Sequence, residues 1–275
     1  MAHTVVPEAE ALLDQEIKVL DHGFVRLVDY MGGDQRIVQA ARVSYGEGTK
    51  THREDRGLIH YLMRHGHTSP FEQVILTFHA KMPIFVARQW VRHRTARLNE
   101  ISGRYSVMKD EFYVPEPDQV RMQSQTNRQG RAESAVTPDL AREVTETMVH
   151  DQAHIYRNYE TMISSGIARE VARINLPLSL YTEWYWQIDL HNLFHFIRLR
   201  LDEHAQYEIR VYAEAMGRCA KAVAPAAWEA FEEYVMCGAS LSKTELAAVR
   251  DMLAGKEPAF ENERRKAEFD AKLGL

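Results

Sequence analysis

Cysteine is nearly absent: the 275 residues carry two, Cys219 and Cys237. That is too few for a disulfide framework, and their spacing is not that of a metal site. The scarcity fits a reducing cytoplasm. No apolar run approaches the roughly 20 residues that cross a bilayer, so no membrane association is expected. The opening Met-Ala-His-Thr-Val-Val-Pro-Glu lacks the charged-then-apolar pattern of a secretory leader. Neither Gly-x-Gly-x-x-Gly nor a Walker loop occurs, so a bound dinucleotide has to be held by side chains rather than by a glycine-rich helix start. A Gly-x-Ser-x-Gly elbow and a Cys/His nucleophile arrangement are missing too. Excess positive charge is also lacking. Against 39 Asp and Glu there are 34 Lys and Arg, a net charge of −5, which argues against a general nucleic-acid binder. No internal repeat or clean linker divides the chain, and one domain over residues 1–275 is expected.

What is there stands out against that acidic background. Gln89 to Tyr105, with Arg88 just ahead of it, packs Arg88, Arg92, Arg94, Arg97 and Arg104 around His93. Arginines crowded on an ordered segment repel one another unless an anion joins them. Their planar forks suit phosphate, carboxylate or an electron-rich ring. Asn99, Glu100 and Ser102 add donors and acceptors for a polar heterocycle. The plainer alternative is a salt-bridged surface helix whose arginines meet the acidic residues of a neighbour. With Trp90 and Tyr105 as stacking platforms, the same stretch could hold single-stranded nucleic acid.

Periodicity places the elements. Lys18 to Val28 is strand-like around an Asp21-His-Gly23 turn. Asp34 opens a helix through Val43 that Gly46 and Gly48 break, and Arg53 to His65 forms a second helix. Val74, Leu76, Phe78 and Ala80 alternate as in a half-buried strand. Pro83 then opens a helix carrying the arginine cluster, followed by short strands at Gly103 to Val107 and Glu111 to Val114. Residues 119–136 are polar and without period, as in a loop or lid. Thr137-Pro138 caps a helix to about Ser164, stopped by Gly166. Ala168 to Asn175 is a short helix and Ser179 to Gln187 an aromatic strand. Two nearly continuous helices come next, Asp189 to Leu201 and His204 to Val223. Ser242-Lys-Thr-Glu245 is a capping box opening a last helical pair.

Three further groups carry possible chemistry. His191 and His195 share one face of their helix, and with Asp189, Asp202 and His204 they could make a metal hydrolase site or merely an interface. Arg200 lies half a rotation from His191, so a regular helix would turn the histidines and Arg200 toward different ligands. Arg173, among apolar neighbours, reads as a buried cation in need of an anion. His65-Gly-His-Thr-Ser-Pro-Phe-Glu72 is a turn able to present Ser69 and His67.

Arg92-His93-Arg94 followed by Ser102 resembles the signature of the flavin-dependent thymidylate synthases. Gly23-Phe-Val-x-Leu-Val-Asp, Ala40-Ala-Arg-Val-Ser, the His65–Glu72 turn, Pro83-Ile-Phe-Val-Ala-Arg-Gln-Trp90, Ala168-Arg-Glu-Val-Ala-Arg-Ile-x-Leu-Pro and Leu199-Arg-x-Asp-x-His-Ala-Gln206 are similar to that family in the same order. The resemblance spans about Leu20 to Phe231, leaving out residues 119–136 and the tail beyond Gly238. It implies an α+β fold, a central mostly antiparallel sheet flanked by helices with a helical C-terminal extension over 238–275. It also implies a homotetramer with active sites between subunits. The implied reaction methylates dUMP at C5, with 5,10-methylenetetrahydrofolate as carbon donor and FAD, reduced by NADPH, as hydride donor.

By position, the resemblance assigns Ser69, Arg92, His93, Arg94, Glu100, Asp189, His191 and His195 to FAD. Gln89, Arg92, Glu100, Ser102, Gly103, Arg104, Arg173 and Arg200 are assigned to dUMP, Arg200 being the catalytic residue that polarises the uracil. Ser102 is taken as a nucleotide contact, with no covalent intermediate and no metal. Arg97, Leu98, His191 and His195 depart from the family's usual residues at their positions.

Overall fold

The computed structural model describes residues 4–43, 52–125 and 129–274. Its organising element is a five-stranded sheet. The strands are β1 (Glu16–Val19), β2 (Gly23–Met31), β3 (Ile75–Pro83), β4 (Arg97–Glu100) and, far along the chain, β7 (Tyr181–Asp189), in the order β1-β2-β3-β7-β4 with every neighbour antiparallel. The intervening β5 (Arg121–Gln123) and β6 (Arg131–Ala135) form a separate two-stranded hairpin. Within residues 119–136, where a loop or lid was expected, Arg121–Gln123 and Arg131–Ala135 therefore pair as antiparallel strands. Their polar residues carry no alternation because most of both strands is exposed, so neither face left a periodic trace.

The helices are α1 (Pro7–Glu10), α2 (Asp34–Arg42), α3 (His52–Arg64), α4 (Ile84–Trp90), α5 (Pro138–Ser164), α6 (Arg169–Ala172), α7 (Leu190–Arg200), α8 (Tyr207–Val223), α9 (Pro225–Phe231), α10 (Lys243–Leu253) and α11 (Glu263–Leu273). Helix boundaries obey local chemistry where the cap is local. Thr137 Oγ1 accepts from Leu140 N at 3.4 Å with Pro138 in the first turn of α5, and Gly166 takes φ +80° just beyond its end. Gly166 can adopt that left-handed geometry without a Cβ clash. Asp34 is a correction: it does not cap its own helix. Gly33 precedes α2, and the Asp34 carboxylate instead accepts from Ala226 N (2.8 Å) and Ala227 N (3.0 Å), at the start of α9. The expected break at Gly46 and Gly48 lies outside the described residues.

Two compact units result, residues 1–228 and 229–275. In the first, Leu76, Phe78, Trp184, Trp186 and Ile188 are buried on one face of β3 and β7, while Ala80–Pro83 and the facing Tyr181 and Thr182 are buried without alternation. Helices α7 and α8 contribute Phe196 and Tyr212 to that face, both fully buried. A smaller apolar cluster of Met108, Phe112, Tyr159, Ala172 and Leu180 lies beneath α5. The expected strands at 103–107 and 111–114 reduce to a turn and one bridge between Phe112 and Leu180. In the second unit, Ser242 and Glu245 form the expected capping box, and Lys272 Nζ meets the Glu245 carboxylate at 2.6 Å. That contact and the cap together lower the Glu245 pKa to about 2.

Candidate active site

Trp90 is the anchor. It closes α4 with no exposed surface and stands edge-on to Trp184 (5.2 Å between centroids) and Trp186 (5.3 Å). Such perpendicular pairs add to the burial of the rings themselves. Helix α4 ends there because the residues beyond it have little to bury: every one from Val91 to Glu100 except His93 and Ala96 is exposed. The arginine cluster was expected on a helix; instead it leaves the helix with its core anchor behind it. Arg92 and Arg94 sit in a turn, Arg97 lies on β4 opposite Gln187, and Arg104 sits in the turn held by Ser102.

The turn delivers His93 to Arg200. Arg200 Nε donates to His93 Nε2 at 3.1 Å, and its Nη2 donates to the Gln89 carbonyl at 3.2 Å. An accepting Nε2 requires the ring proton on Nδ1, the tautomer of a neutral imidazole. Burial, then the cation of Arg200 and the ring of His195, lower the His93 pKa to about 4, so the ring is uncharged at neutral pH. Burial also lowers the Arg200 pKa, as does the like charge of Arg92. The His93 ring rests edge-on against Phe196 (4.9 Å) and lies 5.9 Å from His195. Arg200 and His195 therefore both reach one residue despite their angular separation on α7. The long guanidinium arm spans what the helical wheel seemed to forbid.

A second group forms around Ser102. Tyr105 N and Ser106 N donate to the Ser102 carbonyl, and Arg104 N donates to Ser102 Oγ at 3.3 Å. Gly103 is buried in the same turn, and a Cβ there would lie 3.1 Å from Arg173 Cδ and 3.1 Å from Met108 Sδ. A side chain there would have to push both aside, so a glycine is what lets the turn lie against Arg173 as it does. Arg104 pairs with Glu170 at 3.1 Å, with both side chains more than half exposed. Arg173 is exposed, not buried as its apolar neighbours suggested. Those neighbours, Val171 and Ile174, are themselves 52% and 77% exposed.

Glu100 faces the sheet side, where its Oε1 accepts from Thr182 Oγ1 at 2.6 Å. Asp189 is the N-cap of α7, accepting from Asn192 N at 2.9 Å. His191 is half-buried, His195 and Ser69 are exposed, and burial followed by Arg198 and His191 lowers the His195 pKa. No hydrogen bond or ring contact joins the Ser102 and Arg200 groups among the described residues. Of Arg88, Arg92, Arg94, Arg97 and Arg104, only Arg104 meets a carboxylate among those residues, so the salt-bridged-helix reading does not hold. Uncompensated guanidinia beside a neutral imidazole make a donor set suited to phosphates and to a planar heterocycle.

Sequence reasoning gave no role to Gln206, Glu208, Arg131 or Thr182. Glu208 left one usable signal, a carboxylate one turn before Tyr212 on the apolar face of α8.

Comparison with known proteins bears on the same segments. The family described as thymidylate synthase complementing protein matches residues 26–226. A flavin-dependent thymidylate synthase of Treponema denticola is 60% identical over 261 residues, covering 95% of this chain and 98% of that one. One from Treponema pallidum is 55% identical over 273 residues, covering 99% and 89%. Among solved structures, the UMP/dUMP methylase PolB from Streptomyces cacaoi, bound with 5-Br dUMP, superimposes with a TM-score of 0.72 at 34% identity, over 79% of this chain and 98% of that one. With an antiparallel sheet, an arginine-rich turn and full-length kinship in agreement, the chain belongs to the flavin-dependent thymidylate synthase family.

Proposed function

We propose that the protein is a flavin-dependent thymidylate synthase, converting dUMP to dTMP with 5,10-methylenetetrahydrofolate as carbon donor and NADPH as reductant. The observation that carries this reading is the Arg200–His93 pair. It holds a guanidinium at a fixed place with part of its fork free for a ligand. A fixed cation beside a uracil lowers the cost of negative charge on the ring, favours ionisation at N3 and raises electron density at C5. Because His93 is neutral, it orients Arg200 without adding a competing charge.

Arg173, Arg104 and the Ser102–Gly103 turn serve the nucleotide's phosphate and ribose, with Gln89, Arg92 and Glu100 lining the rest. Ser102 acts as a hydrogen-bonding contact; its Oγ already accepts from Arg104 N, and among the described residues no side-chain base is hydrogen-bonded to it to make a nucleophile. Arg92, Arg94, His93, Glu100, Ser69, Asp189, His191 and His195 would hold FAD. The unpaired guanidinia match its diphosphate and the neutral His93 suits contact with its ring system. When bound, the flavin supplies the hydride that completes the methyl group.

The assembly we propose is a homotetramer with active sites between chains. Val171, Ile174 and Leu178, exposed by half or more beside Arg173, support it, since monomers rarely leave such groups uncovered next to a charged site. An anaerobic spectrum tests the reading. Flavin absorbance that bleaches on adding NADPH, and faster with dUMP present, is the expected result. Protein that takes up no flavin after incubation with FAD would overturn it. Light-scattering mass in solution checks the tetramer.

A further inference from the structure

Glu208 is 1% exposed, at the first turn of α8, and a carboxylate so placed must be matched by donors. Three side chains supply them. Tyr113 OH donates to Oε1 at 3.0 Å, Arg131 of the β5–β6 hairpin pairs with the same oxygen, and Gln206 Nε2 donates to Oε2 at 2.8 Å. Gln206 Oε1 in turn accepts from Gln89 Nε2 at 2.5 Å. There the side-chain bonds end. Gln89, half-buried in the last turn of α4, has no donor to its side-chain Oε1 among the described residues. Burial first, then the Glu208 charge, raise the Tyr113 hydroxyl pKa, so that group stays a donor.

A side-chain amide has donors at one end and an acceptor at the other, and only its neighbours decide which end faces which way. Here the carboxylate decides. An ionised carboxylate can only accept, so the Gln206 nitrogen has to face Glu208, and the Gln206 oxygen is what remains for Gln89. That oxygen also only accepts, so the Gln89 nitrogen has to face it. Reversing either amide would set oxygen against oxygen. We infer that Glu208, through Gln206, fixes the sense of the Gln89 side-chain amide so that its Oε1 is the acceptor offered to the nucleotide. Gln206 and Glu208 are thus positioning residues for specificity, and Arg131 on the hairpin holds Glu208. The inference rests on the proposed function for its ligand, since Gln89 is there a contact of dUMP, but not for the amide geometry. Two groups of dUMP can donate to such an acceptor, the base N3–H and the ribose 3′-hydroxyl.

Calorimetric titration of the flavin-loaded protein with dUMP, N3-methyl-dUMP and the 3′-deoxy analogue of dUMP tests it. One analogue should bind the parent several-fold more weakly than dUMP, which names the donor. Gln206→Ala, at an exposed residue, frees the Gln89 amide to turn and should shrink that preference several-fold. Glu208→Gln, which lets Gln206 bond either way round, should shrink it too. In a Gln89→Leu background Gln206→Ala should change the preference no further. A parental preference in Gln206→Ala overturns the inference, as does the same change with and without Gln89, or a parent indifferent to both analogues. Thermal midpoints without ligand give a second readout: Gln206→Ala and Gln89→Leu should each lower the midpoint, and the double variant by less than their sum. Full additivity overturns the amide geometry. A parent that binds no dUMP would instead defeat the proposed function, and the midpoints would still decide the geometry.

Discussion

Two sets of arginines among the candidate site residues are treated in opposite ways. Arg200 is half-buried and already engaged, with His93 and the Gln89 carbonyl as its partners. Arg92, Arg94 and Arg173 are exposed and meet no carboxylate among the described residues. A cation fixed by the protein costs little reorganisation when charge develops on a ligand, which is what a transition state rewards. Cations left open suit ground-state capture, where the ligand's own phosphates supply the missing partner. The first set should therefore govern turnover and the second affinity.

The sharpest way to break the comparison is to remove the core anchor behind the turn that carries Arg92, Arg94 and the His93 partner of Arg200. Trp90→Ala deletes a fully buried ring against Trp184 and Trp186 and should cost about 3–5 kcal/mol of stability, read by chemical denaturation. A variant as stable as its parent would show that the turn is not held from the core. Next comes Arg200→Ala, for which kcat with dUMP should fall roughly 10²–10³-fold, the range for losing one preorganised donor, with flavin still bound. Unchanged turnover would remove Arg200 from the chemistry. Arg173→Ala should instead raise the dUMP dissociation constant by about tenfold or more, as for a charge-assisted hydrogen bond. Its parent's affinity should weaken as salt rises, and titrations at two ionic strengths give both numbers.

The smallest effect is on pH. The His93 pKa is depressed in the fold to about 4 from the usual 6.5, so the unfolded chain binds the proton more readily. Stability from this group is whole above the unfolded value and declines as pH falls from about 6.5 toward 4. His93→Gln should flatten that part of the stability profile, and urea midpoints at pH 7 and 5 would reveal it. An unchanged slope would mean that other groups carry the acid limb.

How much of this could be read beforehand depended on whether the deciding contact was local. Thr137-Pro138, Gly166 and the Ser242–Glu245 box declared their helix ends because a cap is settled within a few residues. Strand β3 showed its alternation because one face of its first half is the more buried, and β7 showed itself by its run of aromatic residues. Arg97 to Glu100 became a strand only by pairing with β7, which no local pattern records. Arg173 misled for a related reason: apolar neighbours imply burial only when something covers them. At the site, resemblance named His93 and Arg200, but their contact spans 107 positions, and nothing in either segment alone predicts it. Arg131 and Glu208 were hidden the same way, one within a stretch without period and the other inside an otherwise apolar helix face.

Asp34 has a consequence for how the chain comes to be folded. Its carboxylate waits for backbone N–H groups 192 and 193 positions later, and Gly23 waits for Tyr212, beside which a Cβ would clash with the hydroxyl. During synthesis, which proceeds at about 5–20 residues per second, the first two strands and α2 emerge long before those partners exist. For that interval β2 holds an apolar face with no α8 to cover it. Closing such distant contacts is slow as well as late. The N-terminal quarter of this protein should therefore be the part most in need of shelter on the ribosome, even though no residue placed at the site lies within it.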